Sequence, residues 1–325
     1  MLRYVIRRLI WLVFVMVVIV AITYSIFFLL PGGSTDTIAQ RFAGKAPTPE
    51  IVQQVKIQMG LDKSIPMQFV NFTKKLFFGD QYGWPGFGKS FALREPLRPI
   101  LVERMWITVQ LALGAAVMWL LIGIPIGILS ALKPRSLFDR FAMGFALIGI
   151  SIPVFVLGPL AQLVFSYKTH LLPSSGYRSI AEYGIGPWLS HFILPWFVLA
   201  LLYAAFYARL SRANLLETMS EDYMRTARAK GLTERRVILH HGLRASLTPL
   251  VTVFGLDLAG LMAGAVITET IFNIPGIGDL AIKSIVGQDV YAILDVTLIA
   301  AFIITFANLA VDIIYAFLDP RVRYE

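Results

Sequence analysis

Residues Gly83-Trp84-Pro85-Gly86-Phe87-Gly88-Lys89-Ser90 satisfy the phosphate-loop spacing G-x-x-x-x-G-K-[ST], in which backbone N–H groups wrap nucleotide phosphates and the lysine and hydroxyl reach the charged end. That chemistry needs a buried strand before the loop and a helix opening directly after it. Here the motif lies between Phe78 and Pro96 in a stretch rich in glycine and aromatics, with no acidic strand end for Mg²⁺ behind it. It is therefore read as a loop that binds no nucleotide. Its aromatics Tyr82, Trp84 and Phe87 are candidates for contact with the membrane interface or a partner. His240 and His241 are adjacent, so on a helix they diverge by about 100° and do not make an i,i+4 metal pair. The chain has no cysteine, which removes thiolate and disulfide chemistry. No Ser-His, paired-Asp or His-Glu-x-x-His constellation is present either, so an intramembrane enzyme has nothing to work with and no catalytic residue is expected.

What remains is a set of carboxylates inside apolar stretches: Asp257, Glu269, Asp295 and Asp312. An ionisable side chain in lipid is costly and faces protein or water. Asp257 lies deepest, and with Phe254 and Leu261 it is a candidate for lining a translocation path, where its charge would attract an amino terminus. The alternative is a carboxyl hydrogen-bonded to a neighbouring helix. The other three lie nearer helix ends and are read as structural.

The elements that must hold these residues follow from composition. With 57% hydrophobic residues, 15% charged and a mean hydropathy of +0.71, the chain is too apolar for a soluble domain of its length. Roughly 20 apolar residues cross a bilayer. Six stretches qualify, at about 9–30, 107–131, 141–165, 188–208, 250–271 and 293–318, so the fold class is an all-α integral membrane protein with six transmembrane helices. The first follows Arg3, Arg7 and Arg8 but is too long for a signal-peptide core, and no cleavage site is evident after Pro31-Gly32-Gly33. Pro125, Pro153 and Pro195 fall inside spans and predict kinks. Gly123-x-x-x-Gly127 and Gly260-x-x-x-Gly264 predict close helix approach.

The net charge of +9 is explained by topology rather than by nucleic acid. The segment 209–248 holds Arg209, Arg212, Arg225, Arg228, Lys230, Arg235, Arg236 and Arg244, while the short loops on the opposite side hold little beyond Lys168, Arg178 and Lys283. The basic side is the cytoplasmic one, which places both termini there. Residues 1–30 are then a cytoplasmic N-terminus and first span. Residues 31–100 form a small extracytoplasmic subdomain, with helices expected at 49–60 and 65–78 and a loop at 79–90. Residues 101–325 form a five-helix core.

Within the basic segment, 219–231 and 232–241 read as two helices parted at Gly231. Glu221-Asp222-Tyr223-Met224-Arg225-Thr226-Ala227-Arg228-Ala229-Lys230-Gly231-Leu232 resembles the coupling segment of permeases of ABC importers, in their dipeptide, oligopeptide and nickel branch. Against the general pattern E-A-A-x-x-x-G-x9-I-x-L-P, this chain keeps Ala227, Gly231 and Leu243 but has Arg225, Thr226, His241 and Arg244 elsewhere, as that branch does. The resemblance continues through Gly60-Leu61-Asp62, Gly79-Asp80, Ser151-Ile152-Pro153-Val154-Phe155, Glu269-Thr270-Ile271-Phe272-Asn273-Ile274-Pro275-Gly276-Ile277-Gly278 and Leu318-Asp319-Pro320-Arg321-Val322-Arg323-Tyr324. The long segment after the first span is similar to B-type rather than C-type subunits.

The resemblance implies a type I importer permease fold in the bacterial inner membrane, with no catalysis or cofactor of its own. ATP and Mg²⁺ would be bound by two cytoplasmic ATPase subunits, the other half of the pathway would be a C-type permease, and an extracytoplasmic binding protein would deliver the cargo. It further implies that Arg225, Thr226, Ala227, Arg228, Ala229, Lys230, Gly231, Leu232, Thr233 and Glu234 transmit ATPase closure to the spans. In that role small Ala227 and Ala229 allow close docking, and Arg228 and Lys230 make charged contacts. The cargo would be a di- or oligopeptide; the branch also carries nickel chelates and haem. An ion-coupled secondary transporter would instead show inverted repeats and discontinuous helices.

Overall fold

The computed structural model describes residues 2–30, 34–44 and 47–318. Pro31-Gly32-Gly33 and the 319–324 part of the C-terminal motif lie outside the described residues. The elements, in chain order, are α1 (Leu2–Tyr24), α2 (Thr35–Phe42), α3 (Pro49–Met59), α4 (Ile65–Phe78), α5 (Leu97–Leu132), α6 (Leu137–Ser151), α7 (Val154–Ala161), α8 (Ile180–Tyr183), α9 (Ile185–Ser220), α10 (Asp222–Ala229), α11 (Glu234–Arg236), α12 (Leu243–Met262), α13 (Val266–Ile271), α14 (Ile277–Gly287) and α15 (Val290–Leu318). Wider π turns extend α1, extend α7, and join α11 to α12 at Ser25–Leu29, Gln162–Lys168 and Val237–Gly242.

Five of the described helices are long and apolar enough to cross a membrane: Tyr4–Leu29, Leu97–Leu132, Ile185–Ser220, Glu234–Met262 and Val290–Ile314. A sixth is obtained if Leu137–Ser151 and Val154–Lys168, bent by 104° at the break between them, are one span. Pro153 sits at that break, as expected, because a proline disfavours helical geometry in the residue before it, and Ile152 is extended. Pro125 and Pro195 behave differently: neither interrupts its 36-residue helix. Each removes a single backbone bond, which a packed bundle tolerates.

Several span boundaries differ from the sequence expectation. The helix that was expected to end near 208 continues to Ser220, so 209–220 is helix and not loop. At about 1.5 Å per residue, 36 residues reach ~54 Å, well beyond a hydrocarbon core of ~30 Å. The next helix begins at Glu234 and ends at Met262, rather than running 250–271, and the second half of the anticipated helical pair is its first turns. It stops before Gly264, whose φ of +133° favours glycine. The two helices expected at 49–60 and 65–78 are present, with Gly60 closing α3 in the left-handed region.

The chain divides into two compact units. The first comprises Met1–Val109, Ala259–Glu269 and Pro275–Leu309. Its core joins Tyr24, Phe28 and Phe42 to Val55, Leu76, Leu97, Leu101, Ile277 and Leu298. Tyr24 stacks on Phe28 at 4.6 Å and Phe28 on Phe42 at 5.0 Å. A buried polar side chain beside them is satisfied: Gln68 accepts from the Tyr24 hydroxyl at 3.2 Å and donates to the carbonyls of Leu61 and Lys63. The opposite face of α1 exposes Ile10, Trp11, Val13 and Phe14, a surface that lipid would cover.

The second unit comprises Gln110–Leu258, Thr270–Ile274 and Ala310–Glu325, and within it α6 and α7 pack on α9. Close approach at Gly127 is confirmed, since a Cβ there would meet Ser211 Oγ at 1.9 Å and the Ala208 carbonyl at 2.4 Å. Gly260 does not share this role, because nothing lies within 4 Å of its Cβ position.

Candidate functional site

The segment after α9 turns because Glu221 leaves the helical region, with φ −66° and ψ 148°, and its carbonyl then accepts from the Met224 N–H at 3.0 Å. Asp222 in the first turn complements the partial positive charge there. The eight-residue helix α10 then buries Met224 and Ala227, three residues apart and so on one face, against Val237, with Met219 and Leu232 packed beside them. Gly231 follows with φ +77° and open space at its Cβ position, so backbone conformation rather than room selects glycine. The Leu232 N–H reaches back to the Ala227 carbonyl and the Gly231 N–H to the Arg228 carbonyl.

A charged clamp closes the turn. Arg228 donates through Nε and a terminal nitrogen to the two Glu234 oxygens at 3.1 and 3.0 Å. The carboxylate pushes the guanidinium pKa further up. The resemblance implies close docking at Ala227 and charged contacts by Arg228; Ala227 is turned inward and Arg228 is paired with Glu234. Arg225, Thr226, Ala229, Lys230, Thr233 and Glu234 are exposed, while Leu232 is half-buried. The exposed Arg225–Asp222 contact at 3.4 Å contributes little to stability.

Asp257, on α12, accepts a hydrogen bond from the Tyr207 hydroxyl of α9 at 2.9 Å. The surrounding rings are Trp119, stacked on Tyr203 at 4.6 Å, and Phe254, edge-on to Trp119 at 6.0 Å. Phe254 is half-buried and Leu261 is buried. The Tyr207 partner and the Trp119 platform were not visible in the sequence, because they come from helices about 50 and 140 residues away by chain position, and no local pattern links them.

In the Gly-aromatic loop, Asp80 accepts from the N–H groups of Tyr82 and Gly88 at 2.7 and 2.8 Å, and Ser90 donates to Asp289. The N–H and hydroxyl of the phosphate-loop pattern are thus engaged within the chain, and the next helix opens only at Leu97. Trp84, joined to Pro85 by a cis peptide, is exposed; Tyr82 is half-buried and Phe87 belongs to the first unit's core.

Glu269 is wholly buried and orders the turn into α14. It accepts from Thr108 Oγ1 and the Asp279 N–H, both at 2.8 Å, and Thr108 Oγ1 accepts from the Ile277 N–H at 2.9 Å. Asp279 in turn accepts from Arg104 and Lys283. Glu269→Gln places an amide in this cage, and the orientation that keeps the Thr108 bond turns an NH₂ toward the Asp279 N–H. The variant is expected to lose about 1–3 kcal/mol, read as a lower Tm of the purified chain. A Tm equal to the unmodified protein's would mean that the cage does not hold the turn.

The sequence matches the models of two families that between them cover nearly the whole chain. Residues 123–324 match the binding-protein-dependent transport system inner membrane component, and residues 1–112 match the N-terminal part of such membrane components. A Sinorhizobium fredii chain named probable peptide ABC transporter permease protein is 35% identical over 99% of both chains. The glutathione transport system permease protein of Salmonella typhimurium is 34% identical over 100% of both. Among solved structures, the inward-facing MetNI methionine ABC transporter aligns with a TM-score of 0.57 and 19% identity, covering 69% of this chain and 99% of that one, a likeness of fold. This chain belongs to the family of binding-protein-dependent transport system inner membrane components, the multi-pass permease subunits of ABC importers.

Proposed function

We propose that the chain is the B-type permease of an ATP-driven importer of short peptides, lining half of the pathway and coupled to two ATPase subunits through α10 and the turn that follows it. The observation that carries the reading is α10 itself. It is a short helix between two long spans, anchored by its own small core and the Arg228–Glu234 clamp, with Arg225, Thr226, Ala229 and Lys230 left facing outward. A rigid knob of that kind passes a push from outside to both spans, because α9 leads into it and α12 leads out of it. The excess of arginine and lysine on this side puts it in the cytoplasm, with both termini, and the 31–100 segment outside. The peptide assignment is supported by the names of the relatives, one a peptide permease and one a permease for glutathione, itself a tripeptide. Asp257 with Phe254 and Leu261 would contribute to the path, and Tyr82 and Trp84 would face the binding protein or its cargo.

The test is uptake of labelled dipeptides into proteoliposomes holding this chain with its partner permease, ATPases and binding protein. Uptake is expected to require hydrolysis-competent ATPase. Reversing both outward charges, Arg225→Glu with Lys230→Glu, is expected to lower uptake at least tenfold while the chain still assembles with its partner permease. Uptake that survives a hydrolysis-dead ATPase, or that is indifferent to the double reversal, would sink the coupling claim.

A further inference from the structure

The first unit holds a cavity of about 620 Å³ between α3, α4, the Gly-aromatic loop and the first turns of α15. That volume lies in the ~300–1,000 Å³ range of small-molecule sites. Its polar wall includes Gln54, Gln58, Lys75, Asp80, Tyr291 and Asp295.

Asp295 sets the chemistry. The residue is 3% exposed, and its Oδ2 has no hydrogen-bond partner. A buried carboxylate oxygen left without a donor is costly and is relieved by a ligand that brings one. The Asp80 carboxylate shares the wall, with its oxygens turned to the N–H groups of Tyr82 and Gly88. The Asp80 carboxylate and the Asp295 carboxyl share the wall with one lysine, a set of acceptors that favours a ligand carrying hydrogen-bond donors and positive charge. Among the described residues no three His, Cys, Asp or Glu side chains are grouped to hold a metal ion. An ammonium asks for less: three acceptors, which Asp295, a glutamine carbonyl and the Tyr291 hydroxyl can supply.

Lys75 adds the second pole. It is exposed while Asp295 is buried, and its ammonium donates to the Gln58 backbone carbonyl, which leaves further donors for a ligand. We propose that this cavity binds a small zwitterion, an amino acid or short peptide, with Asp295 taking the ammonium and Lys75 the carboxylate. The peptide-import reading supplies the ligand class. On the topology of that reading the cavity opens on the outer face, so it would hold cargo before the central path does.

The experiment is isothermal titration of the complete transporter in lipid nanodiscs, without ATP or binding protein, using dialanine, N-acetyl-dialanine, dialanine amide and methylammonium. Dialanine is expected to bind saturably, N-acetyl-dialanine and dialanine amide at least tenfold more weakly, and methylammonium more weakly still. Asp295→Asn, which keeps the side-chain shape, and Lys75→Gln, at an exposed position, are each expected to weaken dialanine at least tenfold with Tm unchanged. If Asp295→Asn lowers Tm, Lys75→Gln decides alone. Absent dialanine binding, equal binding of the acetylated peptide or of methylammonium, or undiminished binding by Lys75→Gln would overturn the assignment. ATP-driven uptake in the same preparation separates the two claims: uptake without binding here removes the cavity site and leaves import standing, and binding without uptake does the reverse.

Discussion

Arg212→Leu is expected to cost the purified chain about 3–5 kcal/mol of stability, the loss that follows when one partner of a buried ion pair is removed. Asp139 is 4% exposed and lies in the first turn of α6, where Ser136 caps the helix. Arg212 reaches it from α9 in a two-pronged contact, Nε to one carboxylate oxygen at 2.6 Å and a terminal nitrogen to the other at 2.8 Å. The paired geometry fixes α6 on α9 more tightly than a single contact would. Without the guanidinium, the carboxylate keeps only the Arg135 N–H at 2.8 Å and stays out of water. Adding Asp139→Asn to Arg212→Leu is expected to recover part of the loss, since the neutral amide oxygen still accepts from Arg135 and no charge is stranded. Arg209→Leu is the matched control: Arg209 is exposed, and the change is expected to stay within about 0.5 kcal/mol. Thermal unfolding of the three variants checks the set, and a Tm for Arg212→Leu equal to that of Arg209→Leu would show that the pair is not holding the helices.

The same pair marks where sequence reading stops. Arg212 was legible as one positive charge among many on the side expected to be cytoplasmic, because the distribution of basic residues needs no contact information. Its partner 73 residues away was not, and neither was the bond between Thr108 and Glu269, 161 residues apart. The spans themselves were legible from apolar length, but their ends were not. Hydropathy falls where lipid ends, whereas a helix ends where its backbone bonds end, and arginine is a good helix former. That is why α9 runs on through Arg209 and Arg212 to Ser220. The candidate coupling segment was singled out by residue order alone, while the phase of an eight-residue helix had to come from its packing. Met224 and Ala227 anchor one face, which turns Ala229 and Lys230 outward and Ala227 away from any partner.

Gly114→Val and Gly127→Val are expected to be strongly damaging, each costing about 3 kcal/mol or more, the upper end for overfilling a packed core. A Cβ on Gly114 would lie 1.9 Å from the Trp196 ring. That ring has little freedom to move: its N–H donates to the Gln110 carbonyl at 3.2 Å, it stacks on Phe192 at 5.3 Å, and Trp188 closes against it edge-on at 5.4 Å. Thirteen residues along α5, Gly127 meets the Ala208 backbone and the Ser211 hydroxyl, and the latter is 1% exposed and already bonded to the Tyr207 carbonyl at 2.6 Å. Backbone does not yield as a flexible side chain does, so α5 and α9 would have to part along the seam. Gly144 provides the contrast. It also lies inside a helix, but nothing is within 4 Å of its Cβ position, so Gly144→Ala is expected to be neutral or to gain up to about 1 kcal/mol from helix propensity. Size-exclusion yield and Tm in detergent separate the cases. If Gly144→Ala proved as harmful as Gly127→Val, the seam would not be set by close backbone approach, and the glycines of α5 would need a different explanation.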